Sequence, residues 1–253
     1  MQEALPVAEW KKAVEEELKA LEKHQTWELC DLLRGKKPVG CKWVFTVKTK
    51  ADGSIERFKV RLVAKGFTQS YGIDYQETFA PVAKLNSIRV LLSLAANLDW
   101  PLYQLDVKNA FLNGNLEEEV YMEVPPGIEN ATNRGKVYML KRSLYGLKQS
   151  PRAWFERFSK VLKHHGYTQG QADHTMFIKH SSVGKVAVLI VYVDDIVLTG
   201  DYEEEIPRIE IVLAKEFEIK DLGNLKHFLG MEIARSKKGI FCLTKEVCVR
   251  PIE

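Results

Sequence analysis

Three aspartates are the residues whose type and placement could carry chemistry. Asp194 and Asp195 are adjacent at the tip of a predicted hairpin with otherwise apolar strands, and Asp106 ends another predicted strand 88 residues upstream of Asp194. Unpaired buried carboxylates are costly, and hard divalent cations prefer oxygen ligands. If paired strands bring Asp106 beside Asp194, the carboxylates could form a site for two Mg²⁺ ions. The alternative explanation is ordinary turn chemistry at Asp194-Asp195.

The hydrophobic pattern predicts the elements that must position these aspartates. Strands are expected at 103–107, 186–192 and 196–199, the last two flanking the Val193-Asp194-Asp195 turn. Helices are expected at 8–23, at 86–98 with Asn86 or Ser87 as N-cap, from Ser150 to a C-cap at Gly166, and at about 203–217. Strands and helices interleave without regular alternation, so the pattern favours an α+β fold with a mainly antiparallel sheet.

Two further hairpins are predicted. One joins 42–48 to 55–63 through a two-residue turn at Asp52-Gly53. In its second strand Arg57, Lys59 and Arg61 alternate with apolar residues, which places the cations on one face, as phosphate binding would require. The other hairpin runs from Phe228 to Leu243 and turns at Lys237-Lys238-Gly239.

The charge distribution is uneven although the net charge is only +3. Ten Lys or Arg between Arg34 and Lys65 oppose two acidic residues, and seven between Lys141 and Lys163 oppose one. Two separated basic blocks suit a protein that grips a polyanion. Solvated surface is the alternative explanation for such runs.

The sequence also argues against several other classes of protein. Its four cysteines (Cys30, Cys41, Cys242, Cys248) have no CxxC spacing, so neither a zinc site nor a disulfide framework is indicated. The N-terminus lacks the apolar segment of a signal peptide. The longest apolar run, 186–193, is far shorter than the roughly 20 residues that span a bilayer. We expect a soluble cytoplasmic protein without a membrane partner.

Seven collinear blocks resemble reverse transcriptases of copia-type long-terminal-repeat retrotransposons. The polymerase motifs correspond to 105–111 (LDVKNAF), 143–154 (SLYGLKQSPRAW) and 192–195 (YVDD), in the family's order and spacing. Further similar stretches are 40–45, 61–69, 75–82, and 220–223 with 228–232. The resemblance covers about residues 8–241. It implies an RNA-directed DNA polymerase that adds dNTPs to a primer 3′-hydroxyl on an RNA or DNA template, using two Mg²⁺ ions, with Mn²⁺ as a possible substitute.

The resemblance also implies roles for individual residues. Asp106, Asp194 and Asp195 would be the catalytic metal ligands, and Phe111 would exclude a ribose 2′-hydroxyl, with core packing as the alternative role. The other implied dNTP-binding residues are Lys59, Arg61, Lys65, Lys108, Asn109, Tyr145, Gly146 and Lys148. Gly146 is favoured because a backbone would approach the nucleotide closely there. Phe228, Leu229, Gly230 and Met231 resemble the primer grip. Lys220 is a candidate general acid or a surface lysine.

The implied architecture is a right-hand polymerase fold within one domain, 1–253. After an N-terminal helix (1–23), fingers would comprise 24–84 and parts of 112–160, and palm with primer grip 85–111 and 161–245. Its antiparallel sheet would be backed by helices. A divergent tail (246–253) would leave the thumb largely absent, and the RNase H and integrase parts of the Pol polyprotein would be missing. An active element would place the protein in a cytoplasmic virus-like particle.

Two other functions remain as hypotheses. The chain could be a truncated, non-catalytic nucleic-acid-binding remnant of the polymerase domain. A two-metal nuclease would also use clustered carboxylates, but it would have no use for the Gly146 block or for Phe111.

Overall fold

The computed structural model of the chain describes residues 8–50, 52–236 and 239–244. This part contains four α-helices, fourteen strands and two 3-10 helices at Gly66–Thr68 and Ala110–Asn113. The α-helices are α1 (Ala8–Lys23), α2 (Leu85–Asn97), α3 (Ser150–His164) and α4 (Glu205–Glu216). The strands are β1 (Trp27–Cys30), β2 (Cys41–Thr49), β3 (Ile55–Ala64), β4 (Leu102–Val107), β5 (Asn115–Met122), β6 (Val137–Arg142), β7 (Thr168–Gln169), β8 (Met176–His180), β9 (Val186–Tyr192), β10 (Asp195–Gly200), β11 (Ile219–Asn224), β12 (His227–Phe228), β13 (Met231–Ser236) and β14 (Gly239–Thr244).

The chain divides into two compact units. The first comprises 1–80 and 111–157, and the second comprises 81–110 and 158–253. The division into fingers and palm that the sequence suggested stays a prediction. Several expectations lie outside the described residues: the first seven residues of the N-terminal helix, the turn at Lys237-Lys238, Cys248 and the divergent tail.

The first unit contains two antiparallel arrangements of strands. A three-stranded sheet has the order β1-β6-β5, and β2 pairs with β3 in a hairpin. The predicted helix α1 is confirmed, and its apolar stripe packs into a core that includes Leu21, Leu62 and Leu144. Because α1 is polar on its other face, burying this stripe is what holds the helix in place.

The β2–β3 hairpin corrects one detail of the sequence-based prediction. Thr49 pairs with Ile55 after a register irregularity, so more residues lie between the paired strands than in the expected two-residue turn. Asp52 Oδ1 accepts hydrogen bonds from the backbone N–H and hydroxyl of Ser54. This side chain therefore favours the longer turn over the two-residue turn.

The second unit is built on a six-stranded antiparallel sheet with the order β11-β4-β10-β9-β8-β7. Apolar side chains of α2, including Ile88 and Leu92, pack with Ile190 and Val197 of this sheet. The expected α+β class and antiparallel sheets are confirmed. The strand β11 was not predicted, and neither were β1, β5, β6, β7 and β8.

A three-stranded antiparallel sheet, β12-β13-β14, completes the second unit. Phe228 pairs with Met231, so Leu229-Gly230 is a two-residue turn, and φ is positive at both residues (+50° and +75°). This pattern is typical of a type I′ hairpin turn. The sequence predicted the pairing of β13 with β14 but not the additional short strand β12.

The beginning of α2 shows a second difference from the sequence-based prediction. Its N-cap is Lys84, whereas Asn86 and Ser87 lie inside the helix, so the predicted caps are wrong. The carboxylate of Asp173, distant in sequence, accepts a 2.9 Å hydrogen bond from the Lys84 N–H. Asp173 therefore supplies the negative charge that a helix N-terminus favours.

The end of α3 agrees with the sequence. The Gly166 N–H donates to Lys163 O and the Tyr167 N–H to Leu162 O, which is the Schellman pattern expected around a C-terminal glycine.

None of the described helices has the length and apolar character required to cross a membrane. Cys30 and Cys41, whose side chains are described, form no disulfide.

Candidate active site

Two of the three predicted catalytic aspartates lie opposite each other in the second unit. Asp195, the first residue of β10, is the cross-strand partner of Asp106 in β4. On the other side of β4, Lys220 of β11 is paired with Asp106, while Asp195 is also paired with Tyr192 of β9. Directly opposed residues project from the same face of a sheet. Lys220, Asp106, Asp195 and Tyr192 therefore form one row across four strands.

Asp194 lies in the turn next to this row. Because Tyr192 pairs with Asp195, the turn consists of Val193 and Asp194. Val193 has φ +55°, a conformation that costs a β-branched residue free energy. The N–H of Val107 donates a 2.8 Å hydrogen bond to the Asp194 carbonyl oxygen, which fixes the turn against the end of β4.

The electrostatics of Asp195 reflect this crowding. Burial raises the pKa of its carboxyl group, and the negative charges of Asp194 and Asp106 raise it further. A 3.1 Å hydrogen bond from Nε2 of Gln104 to Asp195 Oδ1 opposes both effects. Like charges gathered at a half-buried site are stabilised by a cation between them.

The donor chemistry of this site suits Mg²⁺, which binds carboxylate oxygens. In the described part of the chain, however, no three Asp, Glu, His or Cys side chains converge closely enough to hold an ion. The backbone register brings Asp106 and Asp195 together, and their negative charges influence each other. The carboxylates therefore fit a divalent cation in chemistry and in strand position.

Two predicted dNTP-binding residues follow β4 in the same unit. Lys108 Nζ lies 2.8 Å from Glu218 Oε1, and the Lys108 backbone N–H donates to Glu218 O. Asn109 has φ +53°, a left-handed conformation that asparagine tolerates well. The end of β4 thus bends sharply, with Lys108 held by an exposed ion pair.

The hairpin formed by β12 and β13 contains the predicted primer-grip residues. Phe228 and Met231 are buried, whereas Leu229 and Gly230 form the turn between them. The ring of Tyr192, which belongs to the carboxylate row, packs edge-on against Phe228 with 6.4 Å between centroids. The turn end of this hairpin therefore contacts the strand that precedes the aspartate turn.

In the first unit, the predicted nucleotide-binding residues gather around Tyr145. The Phe111 ring meets the Tyr145 ring edge-on at 5.0 Å, and the Arg61 guanidinium lies 5.5 Å from the centre of the same ring. The Tyr145 carbonyl oxygen accepts a 2.7 Å hydrogen bond from Ala64 N–H at the end of β3. These contacts join β3 to the block that begins at Ser143.

Arg61 also contacts a residue that sequence reasoning missed. Its guanidinium lies 2.5 Å from Oε2 of Glu17 on α1, and Glu17 Oε1 accepts the Leu62 N–H. Burial raises the pKa of Glu17, while Arg61, the Leu62 N–H and Lys59 oppose the rise. Arg61 thus takes part in a structural ion pair, whereas its role toward a nucleotide stays a prediction. The sequence signal that could have identified Glu17 is its position on the apolar stripe of α1, where a charged residue needs a partner.

Gly146 is required by packing within the first unit. It has φ +90°, and a Cβ there would lie 2.2 Å from the Ala64 carbonyl oxygen. A Cβ on Gly66 would lie 2.0 Å from the Gly146 carbonyl oxygen. The protein's own backbone thus makes a close approach at Gly146, whereas the contact of Gly146 with a nucleotide stays a prediction.

A chain of buried amides holds Lys148 and its neighbours. Gln69 Oε1 accepts the Lys148 N–H at 2.9 Å, and Gln69 Nε2 donates to Gln149 Oε1 at 3.0 Å. The Lys148 ammonium donates to Gln69 O and lies 4.8 Å from the centre of the Tyr75 ring. Lys65 is tied to Gly40 by its backbone N–H. Gln69 and Gln149 were not singled out as site residues.

Residues 24–250 match the family described as Reverse transcriptase (RNA-dependent DNA polymerase). The chain belongs to this reverse transcriptase family. The predicted resemblance is confirmed by relatives among plant transposons. The chain is 46% identical over 226 residues to the retrovirus-related Pol polyprotein from transposon TNT 1-94 of Nicotiana tabacum, covering 89% of this chain and 17% of that protein.

A second plant transposon protein is also similar to the chain. It is 40% identical over 235 residues to the Pol polyprotein from transposon RE2 of Arabidopsis thaliana, covering 91% of this chain and 16% of that protein. The chain thus spans about a sixth of these relatives. A foamy viral protease-reverse transcriptase in complex with double-stranded DNA gives a TM-score of 0.48 at 17% identity, covering 93% of this chain and 35% of that one. The family's enzymes are nucleotidyltransferases.

Proposed function

We propose that this chain is the catalytic core of an RNA-directed DNA polymerase that transfers nucleotidyl groups from dNTPs to a primer 3′-hydroxyl with two Mg²⁺ ions. The observation that carries the proposal is the opposition of Asp106 and Asp195 across β4 and β10, with Asp194 in the adjoining turn. Metal ions held by these carboxylates would lower the pKa of the attacking hydroxyl and neutralise the triphosphate. Mn²⁺ would substitute for Mg²⁺.

The protein's own residues would orient the reactants. Asp106 and Asp195 share one face of a rigid sheet, which supplies the preorganisation that nucleotidyl transfer needs. Phe111 and Tyr145 would line the sugar position, and Lys59, Arg61, Lys65, Lys108, Asn109, Gly146 and Lys148 would contact the nucleotide. The hairpin at Phe228–Met231 would hold the primer terminus.

The same proposal assigns roles to the two compact units and to the other parts of the polyprotein. The first unit would act as fingers and the second as palm on an RNA or DNA template with its primer. The polymerase would work beside the RNase H and integrase parts of a Pol polyprotein, within a cytoplasmic particle.

Primer extension on an RNA template tests the proposal. We expect templated, Mg²⁺-dependent incorporation by the wild-type chain and a decrease on the order of 1,000-fold in Asp194→Asn, since metal ligands stabilise several kcal/mol of transition-state charge. Asp99→Asn is the matched control because Asp99 is an exposed aspartate of the same unit, 96% exposed. Equal incorporation by wild type and Asp194→Asn, or binding of primer–template without extension, would contradict the proposal.

A further inference from the structure

Gln104 is a buried polar residue in the strand that carries Asp106. Only 7% of it is exposed, and its neighbours Tyr103 and Leu105 face the opposite side of β4. Because side chains alternate along a strand, Gln104 lies on the same face as Asp106, two residues away. An amide in such a position must satisfy its hydrogen-bonding groups within the protein.

The amide nitrogen of Gln104 joins two parts of the second unit. Nε2 donates at 3.1 Å to Asp195 Oδ1 and at 2.9 Å to the carbonyl oxygen of His227, the first residue of β12. A carboxylate and a carbonyl group only accept hydrogen bonds, so only the NH₂ end of the amide can serve both. The chemistry of the two partners therefore determines the orientation of the amide.

The consequence is a direct connection between the aspartate site and the β12–β13 hairpin. Asp195 is held on β10 by the sheet, whereas His227 begins the two-residue strand β12, which pairs with β13 through His227 and Phe228. Hydrogen bonds to a charged group are stronger than those between neutral groups. One side chain thus fixes both the carboxylate oxygen and the base of the hairpin.

We propose that Gln104 is a positioning residue that holds the Asp195 carboxylate and the β12–β13 hairpin in one mutual arrangement. The inference rests on the proposed function, in which Asp195 binds metal and the hairpin places the primer terminus. Gln104 touches neither primer nor nucleotide in this role. Gln104 sets the distance between the Asp195 carboxylate, which would bind metal, and the β12–β13 hairpin, which would place the primer 3′-end.

The main test replaces Gln104 by methionine, which has a similar length and no N–H donor. We expect kcat for primer extension to fall about 10- to 100-fold, because a displacement of about 1 Å in a reacting group has this effect. The KM for dNTP should change less than about threefold, since the nucleotide's own contacts remain. Thr199→Val is the matched control, because Thr199 is buried in the same sheet and donates a 2.6 Å hydrogen bond to Pro101 O.

A second measurement does not depend on turnover. Hydrogen exchange of the backbone amides from His227 to Glu232 should accelerate about fivefold in Gln104→Met, the effect of one lost hydrogen bond. In Thr199→Val the melting temperature should fall by about as much as in Gln104→Met. Hairpin exchange and kcat should stay at wild-type values in Thr199→Val. Gln104→Asn, whose shorter amide can reach at most one acceptor, should give intermediate exchange.

The outcomes separate this inference from the proposed function. If wild type does not extend primers, the proposed function fails, and hairpin exchange alone decides whether Gln104 makes the connection. Unchanged kcat in Gln104→Met, or hairpin exchange equal in Gln104→Met and wild type, overturns the role. An equal decrease of kcat in Thr199→Val also overturns it, because general destabilisation would then explain the effect.

Discussion

Asp106 in β4 and Asp195 in β10 are direct cross-strand partners, so two carboxylates project side by side from one face of the sheet. Like charges in this relationship are destabilising. The arrangement that suits a divalent cation therefore opposes the stability of the metal-free fold. Stability and activity should respond in opposite directions to changes at this pair.

Asp195→Asn tests this opposition. In the absence of Mg²⁺ we expect the variant to be more stable than wild type, by on the order of 0.5 kcal/mol, because it removes one charge and keeps an oxygen that can accept from Gln104. Primer extension should be lost in the same variant. Thermal unfolding with a chelator measures the first effect, and a lower melting temperature than wild type would contradict it.

Gly146→Ala tests whether packing requires the glycine. The added Cβ would meet the Ala64 carbonyl oxygen at 2.2 Å, and the backbone is left-handed at φ +90°. We expect a loss of on the order of 3 kcal/mol in the free energy of unfolding, from overpacking and backbone strain together. Gly135→Ala is the control, since Gly135 has φ +76° with open space around it. Equal losses in the two variants, measured by urea unfolding, would refute the packing argument.

Glu17 should make stability depend on pH. Burial raises its pKa above the ordinary value of 4.5, so the folded protein holds this proton more tightly than the unfolded chain does. The resulting stability is present below about pH 4.5 and is lost as pH rises through the raised pKa. Wild type should therefore lose stability relative to Glu17→Gln over this interval.

Unfolding of both proteins between pH 4.5 and pH 8 measures this difference. The Arg61 side chain is 24% exposed, so water can solvate its charge in the variant. Parallel pH profiles of wild type and Glu17→Gln would show that the Glu17 carboxyl group does not titrate differently in the folded state.

Phe111→Val tests the predicted selection of the sugar. If the ring excludes a 2′-hydroxyl, the ratio of kcat/KM for dNTP over rNTP should decrease about 10- to 100-fold, as expected for a change in steric complementarity. If Phe111 serves only to pack against Tyr145, the melting temperature falls and both nucleotides lose efficiency equally. Single-nucleotide incorporation with matched dNTP and rNTP distinguishes these results.

Local patterns were sufficient to predict the elements that contain the aspartates. The apolar runs around Val193-Asp194 predicted β9 and β10, and the stripe from Trp10 to Leu21 predicted α1. The α3 end at Gly166 was also predicted, because the capping residue is adjacent in sequence. In each case the residues whose interactions determine the element are close to one another in sequence.

Interactions between distant residues could not be predicted. The N-terminus of α2 is capped by Asp173, and Glu17 is buried by β3, so neither residue has a local pattern that indicates its partner. The strand β11 contains Lys220, Asp221 and Gly223, whose polarity does not indicate a strand, and only pairing with β4 makes it one. Gln104 was missed for the same reason, although a glutamine between apolar residues of a strand was visible.

The position of β4 between β10 and β11 has a consequence for synthesis. Its two hydrogen-bonding partners, β10 and β11, follow much later in the chain, and β11 ends at Asn224. At about 5–20 residues per second, β4 leaves the ribosome roughly 6 to 23 seconds before the second partner has been made. Both edges of the strand that carries Asp106 stay unpaired until β10 has been made, and one edge stays unpaired until β11 follows. The unpaired edges expose the nascent chain to wrong pairing with other strands.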